Sequence, residues 1–109
     1  MDNALDPVLR PVTRLRICAA LKAAGATEGG DAADREMSSA TLRNVVDVND
    51  AALSEQLGAL ESHGYVAHDR IYGFSRAKNT VWVRLTAVGD AALTRYLAAL
   101  RHIANRVEN

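Results

Sequence analysis

The chain has 109 residues, 49% of them hydrophobic, and its 13 basic and 13 acidic side chains give a formal net charge of zero. This length suits one domain spanning residues 1–109, and this apolar content is ordinary for a globular protein. No apolar run reaches the roughly 18 residues that a membrane span needs, and the acidic N-terminus lacks the apolar segment of a signal peptide. The single Cys18 excludes an internal disulfide, so we expect a reducing, cytoplasmic environment.

The charges are unevenly distributed along the chain. Residues 10–22 and 70–84 contain basic side chains and no acid, whereas residues 28–36 are mainly acidic. A zero net charge counts against a nucleic-acid partner, but a neutral protein with segregated charges can still present a basic patch. The balance predicts modest non-specific affinity and strong salt sensitivity for any DNA binding.

The first helix is predicted to begin at Arg10-Pro11, because proline suits the first helical position, where its missing N–H costs nothing. Gly25 is expected to end it. Its apolar stripe comprises Val12, Leu15, Cys18 and Leu21, widened by Ile17 and Ala20. Residues 25–36 are rich in Gly, Ala and Asp, which predicts a mobile surface loop. Cys18 lies on the stripe, which favours a buried, inert thiol over a redox sensor.

Two shorter helices follow. The second is predicted over 39–46, capped by Ser38 or Ser39, with Leu42, Val45 and Val46 as core contacts. Asp47 occupies the turn after it, where Asp tolerates unusual backbone angles. The third helix is predicted over 50–63. Its leucines at 53, 57 and 60 recur at helical spacing and line one buried face, so residues 51, 55, 58, 59 and 62 should face outward.

A hairpin and a long helix complete the pattern. Gly64 ends the third helix where positive φ is needed, residues 65–66 start a strand, and Val81–Leu85 alternates as its return strand. The hairpin tip is predicted near residues 73–80, and Thr86 caps a fourth helix that extends to about Arg106. A helix followed directly by a hairpin predicts an α+β winged helix-turn-helix fold with a three-helix core, a hairpin wing and a long C-terminal helix. Such a unit can place its third helix in a DNA groove.

Apolar side chains in the fourth helix recur every seven residues, at Leu93, Leu100 and Val107. We interpret the segment 86–107 as a dimerisation helix because this spacing suits two helices that pair along a seam. The alternative is that the same stripe packs on its own domain. The predicted seam residues are Leu93, Tyr96, Leu97, Leu100, Ile103 and Val107.

The order and spacing of several short segments resemble the MarR/ArsR-like winged-helix regulators, and in particular the short stand-alone winged-helix DNA-binding domain proteins. The segments are Asp6-Pro7-Val8, Arg14-Leu15-Arg16-Ile17, Ala40-Thr41-Leu42-Arg43, Leu53-Ser54 with Leu57, Leu60-Glu61, Gly64-Tyr65-Val66, Arg84-Leu85-Thr86 and Gly89. The resemblance implies a homodimer that controls transcription, with the third helix as recognition helix and the hairpin tip as wing.

The candidate DNA contacts lie on these two elements. The base-contacting positions that the resemblance implies fall on Ala51, Ala52, Ser54, Glu55 and Gln56. Gln can pair with adenine, Glu can accept from cytosine, and Ala can touch a thymine methyl group. Phosphate contacts are predicted for Arg76, Lys78 and Asn79 at the hairpin tip and for Arg43 on the second helix. The alternative is a solvated helix face and an ordinary polar hairpin tip.

Other residue types in the chain favour structural roles. Trp82 is expected to pack on its strand, on the face opposite Val81 and Val83. The three histidines lack metal-ligand spacing, so we predict neither a metal site nor a cofactor. No catalytic constellation is present, and we expect no enzymatic activity. The sequence leaves open whether a small-molecule effector binds in a dimer crevice. Because the third helix is acidic, the alternative function is a winged-helix module that binds another protein and not DNA.

Overall fold

The computed structural model of the protein describes the backbone of residues 5–28, 36–71 and 80–108, and the side chains of these residues except 70, 71, 80, 107 and 108. A short 3-10 turn at Pro7–Leu9 precedes the first helix. The elements are α1 (Val12–Ala23), β1 (Met37–Ser38), α2 (Ser39–Val46), α3 (Asp50–Ser62), β2 (Val66–Ile71), β3 (Thr80–Leu85) and α4 (Ala87–Glu108). The predicted order of four helices, with a hairpin between the third and fourth, is confirmed.

The strands form one antiparallel sheet in the order β1-β3-β2. Val66 pairs with Leu85 and Ile71 with Thr80, so β2 and β3 form the predicted hairpin. Strand β1 is an addition that the sequence did not indicate, with Met37 opposite Val83 on the other edge of β3. Strand β3 is therefore the central strand, held on both edges.

The predicted mobile loop at residues 25–36 needs correction at its start. Ala26 is buried, and its carbonyl oxygen accepts a hydrogen bond of 2.8 Å from the Leu85 N–H. The Glu28 N–H donates to the Leu85 carbonyl oxygen at 2.9 Å, and Thr27 forms a parallel bridge with Leu85. These residues belong to the sheet edge because they satisfy backbone groups at the end of β3. Residues 29–35 lie outside the described residues.

Local capping chemistry sets the helix boundaries much as predicted. The Ser38 hydroxyl accepts a hydrogen bond from the Thr41 N–H at 3.2 Å and caps α2, and Asp47 ends it with φ of 63°. The Asn49 side chain accepts from the Ala52 N–H at 2.8 Å and caps α3. Helix α1 begins one residue later than predicted, because Pro11 has an extended ψ of 126° and serves as its N-cap.

The start of α4 packs against the turn that joins α3 to the hairpin. Gly64 has φ of 77°, as its predicted role requires. The Thr86 hydroxyl caps α4 by accepting from the Gly89 N–H at 2.9 Å, and it donates to the Gly64 carbonyl oxygen at 2.6 Å. A Cβ at Gly89 would lie 2.1 Å from the Tyr65 carbonyl oxygen, so only glycine allows this close approach.

The core lies between the helices and the inner face of the sheet. Two residues predicted to contact it, Val12 and Val45, do not. Ile17, Cys18 and Leu21 of α1 are buried together with Leu42, Leu60 and Leu85. Val12 and Val45, in contrast, are each 60% exposed. Both fall outside the covered part of their helices, because helical spacing predicts a stripe but not how much of it the neighbouring elements cover.

Helix α4 contributes to the core at its start and extends away from it at its end. Leu93 and Tyr96, predicted for a dimer seam, are buried in the domain's own core. These two residues therefore stabilise the domain core and do not line an exposed seam. Leu97, Leu100 and Ile103 are 40%, 39% and 44% exposed, and the Val107 side chain lies outside the described residues. Within the described ranges, no helix combines the length and apolar character that crossing a membrane requires.

Candidate nucleic-acid interface

Three leucines fix the orientation of α3. Leu53 and Leu60 are buried, and Leu57 is half-buried and packs against the core. The predicted inward face is confirmed, and the opposite side of the helix is therefore directed away from the protein.

The outward face of α3 consists of small and polar residues. Exposed positions on it are Ala51, Ser54, Glu55, Gly58 and Ser62. Ala59, predicted to face outward, is half-buried, as are Ala52 and Gln56, so these three lie on the flank of the helix. Of the five predicted base-contacting positions, Ala51, Ser54 and Glu55 are thus exposed, and Ala52 and Gln56 are half-buried.

An intramolecular hydrogen bond engages Gln56. The Arg14 guanidinium on α1 donates from Nε to the Gln56 amide oxygen at 2.7 Å and from Nη1 to the Val8 carbonyl oxygen at 3.3 Å. Because a guanidinium only donates, the oxygen of Gln56 must face α1. A bidentate contact with adenine uses that same oxygen, so Arg14 restricts the pairing predicted for Gln56.

Two of the three acids on α3 have basic neighbours. Arg43 Nη1 of α2 lies 2.8 Å from a carboxylate oxygen of Asp50 at the start of α3. His68 Nδ1 of β2 lies 2.9 Å from the Glu61 carboxylate near the end of α3. The Arg43 guanidinium offsets part of the negative charge at the start of the helix. Its contact with Asp50 also places the Arg43 side chain, predicted for phosphate contact, at the N-terminal end of α3.

A groove of about 290 Å³ separates α3 from the sheet. Its apolar floor is formed by Leu53, Leu57, Val66, Val81 and Val83, and the Glu61–His68 pair lies at its rim. The sequence did not reveal this groove, because its two walls come from elements that meet only in the fold.

The outer face of the sheet carries an acidic cluster around Arg84. The guanidinium lies 3.1 Å from Glu28, 2.9 Å from Glu36 and 2.9 Å from Asp69. Burial alone would lower the pKa of Arg84, but hydrogen bonds to Glu28 and Glu36 outweigh burial and raise it. Burial, followed by the hydrogen bond with Asp69, raises the pKa of Glu36. Arg84 is therefore no part of a basic patch, contrary to the simple charge count over 70–84.

The alternation of β3 separates this cluster from the α3 side of the sheet. Val81 and Val83 line the groove beside α3, whereas Trp82 and Arg84 point to the other face. Trp82 is half-buried and opposite Asp69, outside the main core. The predicted wing contacts Arg76, Lys78 and Asn79 lie outside the described residues.

The fold and this helix-and-hairpin surface define a class of protein. A profile of the winged helix DNA-binding domain family matches residues 32–104, and the chain belongs to that family. The predicted α+β winged-helix fold is confirmed. Among solved structures, that of a transcriptional regulator homologue protein from Pyrococcus horikoshii OT3 is similar, with a TM-score of 0.77 and 19% identity over 98% of this chain and 95% of the other. At this identity the likeness concerns the fold. No curated protein matches the chain in sequence.

Proposed function

We propose that this protein is a homodimeric, DNA-binding transcriptional regulator of the MarR/ArsR-like kind, without enzymatic activity. In each protomer, α3 enters the major groove of double-stranded DNA, and the hairpin contacts the flanking backbone. The supporting observation is the outward face of α3, which is anchored by buried leucines and exposes Ala51, Ser54 and Glu55 beside a β-hairpin.

The distribution of charge favours this orientation of the duplex. The outer face of the sheet holds three carboxylates around Arg84, so phosphates are repelled there. At the start of α3, by contrast, the Arg43 guanidinium lies 2.8 Å from the Asp50 carboxylate and offsets its charge. We assign contacts with the DNA backbone to Arg43 and to Arg76, Lys78 and Asn79 of the predicted hairpin tip, because cationic and amide side chains can pair with phosphates.

The proposed dimer uses the exposed apolar side chains of α4. Leu97, Leu100 and Ile103 lie beyond the part of the helix that packs on the core. A second copy of α4 would cover them, together with Val107 at the predicted spacing. Two recognition helices related by a twofold axis would then meet half-sites of a pseudo-palindrome about 34–36 Å apart.

A titration with DNA tests the function. Fluorescence anisotropy with labelled genomic fragments, at low and moderate salt, should show binding that weakens steeply as salt rises, because phosphate contacts release counterions. The alternative, a winged-helix module that binds another protein, is motivated by the acidic residues of α3. Absence of salt-dependent DNA binding under both conditions would support that alternative and contradict the regulator.

A further inference from the structure

Internal contacts engage three of the four acidic and amide side chains on α3. Asp50 pairs with Arg43, Glu61 pairs with His68, and the Gln56 amide oxygen accepts from Arg14. Each of these groups already has a partner within 3 Å on another element. A base that used one of them would have to compete with that partner, so these positions are poorly suited to set the base preference.

Glu55 differs from these residues. It is exposed at the middle of α3, and within the described part of the chain no hydrogen bond or ion pair engages its carboxylate. Its neighbours on the same face are Ala51, one turn earlier, and Gly58, three residues later. Both neighbours are small, so Glu55 is the one long side chain at the centre of this face among the residues described.

Gly58 adds an independent observation. A Cβ built at Gly58 meets no atom within 4 Å, so nothing among the described residues requires glycine there. Glycine in a helix interior is unfavourable relative to alanine, and it is used where a backbone must approach a ligand closely. Gly58 is exposed where the outward face of α3 adjoins the groove beside the sheet, within one turn of Glu55. The missing side chain there lets an external surface, such as the floor of a DNA major groove, approach the helix backbone.

We propose that Glu55 determines base preference, its carboxylate accepting a hydrogen bond from the N4 amino group of a cytosine in the major groove. This inference rests on the proposed function, since it specifies what α3 recognises. Cytosine is favoured over adenine because the adenine amino group adjoins N7, an acceptor that would repel a second carboxylate oxygen. Guanine and thymine present acceptors at the corresponding places, which an ionised carboxylate cannot pair with.

The charge of Glu55 has a second effect. A carboxylate close to the phosphates weakens binding to every sequence, and the hydrogen bond to cytosine offsets this only at the correct site. Glu55 therefore widens the difference between specific and non-specific binding. Replacing it with Gln should tighten binding to unrelated DNA while the preference moves toward adenine, which Gln contacts with both its donor and its acceptor.

The test is selection of binding sites from random duplex DNA by the full chain and by Glu55→Ala and Glu55→Gln. The wild type should enrich sites with a fixed C·G pair, and changing that pair to T·A should weaken its binding by about 5- to 150-fold. Glu55→Ala should bind both duplexes equally, and Glu55→Gln should enrich A·T there. Glu61→Gln is the matched control, because it removes an acid of the same helix that is paired internally, and it should keep the wild-type preference.

The outcomes separate this inference from the proposed function. If the wild type enriches a site and Glu55→Ala keeps the same C·G preference with the same loss on T·A, the role of Glu55 is overturned while the regulator stands. If the wild type enriches no sequence, the DNA-binding function is overturned and the inference with it. Because Glu55 is exposed, its variants should melt at the wild-type temperature. Gly58→Gln should weaken binding to all sites without altering the base preference, because the added side chain obstructs the approach of DNA.

Discussion

Gly58 and Gly89 both lie in helices, yet an added Cβ would meet open space at the first and the Tyr65 carbonyl oxygen at the second. We expect Gly58→Ala to stabilise the protein by about 0.5–1 kcal/mol, because alanine is the better helix former and nothing obstructs it. Thermal melting should show a rise of about 2–8 °C. Gly89→Ala should instead destabilise by about 2 kcal/mol or more, since α4 would have to move from the Gly64 turn. A loss of stability in Gly58→Ala would show that a neighbour occupies this space.

Tyr65 gives the fold a dependence on alkaline pH. Burial, and then the hydrogen bond that its hydroxyl donates to Asp6, raise the pKa of Tyr65 to about 12 from 10.0. The folded protein therefore keeps this proton to a higher pH than the unfolded chain, so its contribution is complete below pH 10 and declines as pH rises from 10 to 12. Denaturant unfolding at pH 9, 10 and 11 should show this decline, and it should be shallower in Tyr65→Phe. Parallel pH profiles for the two proteins would contradict the assignment.

Local chemistry made many single residues predictable from the sequence. Ser38, Gly64 and Thr86 each satisfy a requirement of their immediate neighbours, so their roles follow from a few adjacent letters. The hydrogen bond between Arg14 and Gln56 joins residues 42 positions apart, and no short pattern indicates it. The exposure of Val12 and Val45 was missed because it depends on which element lies beside each helix.

At the scale of the element, β1 and α4 show two further limits. Strand β1 has only two residues and takes its place from Val83 and Trp82, far along the chain. Its own sequence carries no strand signal that stands out from a loop. In α4, the seven-residue spacing fits both a stripe in the core and a seam between two helices. In the structure, Leu93 and Tyr96 of this stripe are buried in the core, and the apolar residues that follow are exposed.

The exposed end of α4 leads to a prediction about assembly. We expect Leu100→Glu to convert a dimer into a monomer, because a buried, unpaired carboxylate in an apolar seam is costly. Sedimentation velocity over a range of concentrations measures this directly. Val45→Glu, which alters an exposed valine on α2, is the control and should leave the oligomeric state unchanged. A dimer that survives Leu100→Glu would place the interface elsewhere on the molecule.

At the scale of the whole molecule, a chain with no net charge can attract DNA only where its basic side chains are segregated from its acids. Arg76→Ala combined with Lys78→Ala should weaken binding to all sequences and reduce the salt slope by about 1.8, as expected for two lost phosphate contacts. Anisotropy titrations at several salt concentrations give both values. Arg95→Ala with Arg101→Ala removes the same charge from exposed positions of α4 and should change the slope less. Equal salt slopes for the wild type and the hairpin variant would show that the hairpin does not contact the DNA phosphates.

The attachment of residues 26–28 and 36–38 to β3 has a practical consequence for engineering. Thr27 bridges Leu85 and Met37 pairs with Val83, so the connection between them leaves and rejoins one strand at positions two residues apart. Lengthening a connection whose ends are already fixed costs only about 0.6 kcal/mol for each doubling. A short peptide tag inserted between residues 31 and 32, which about doubles the length of the connection, should therefore lower the melting temperature by only about 2–5 °C. Such a tag would report the position of the protein on a duplex without altering α3 or α4.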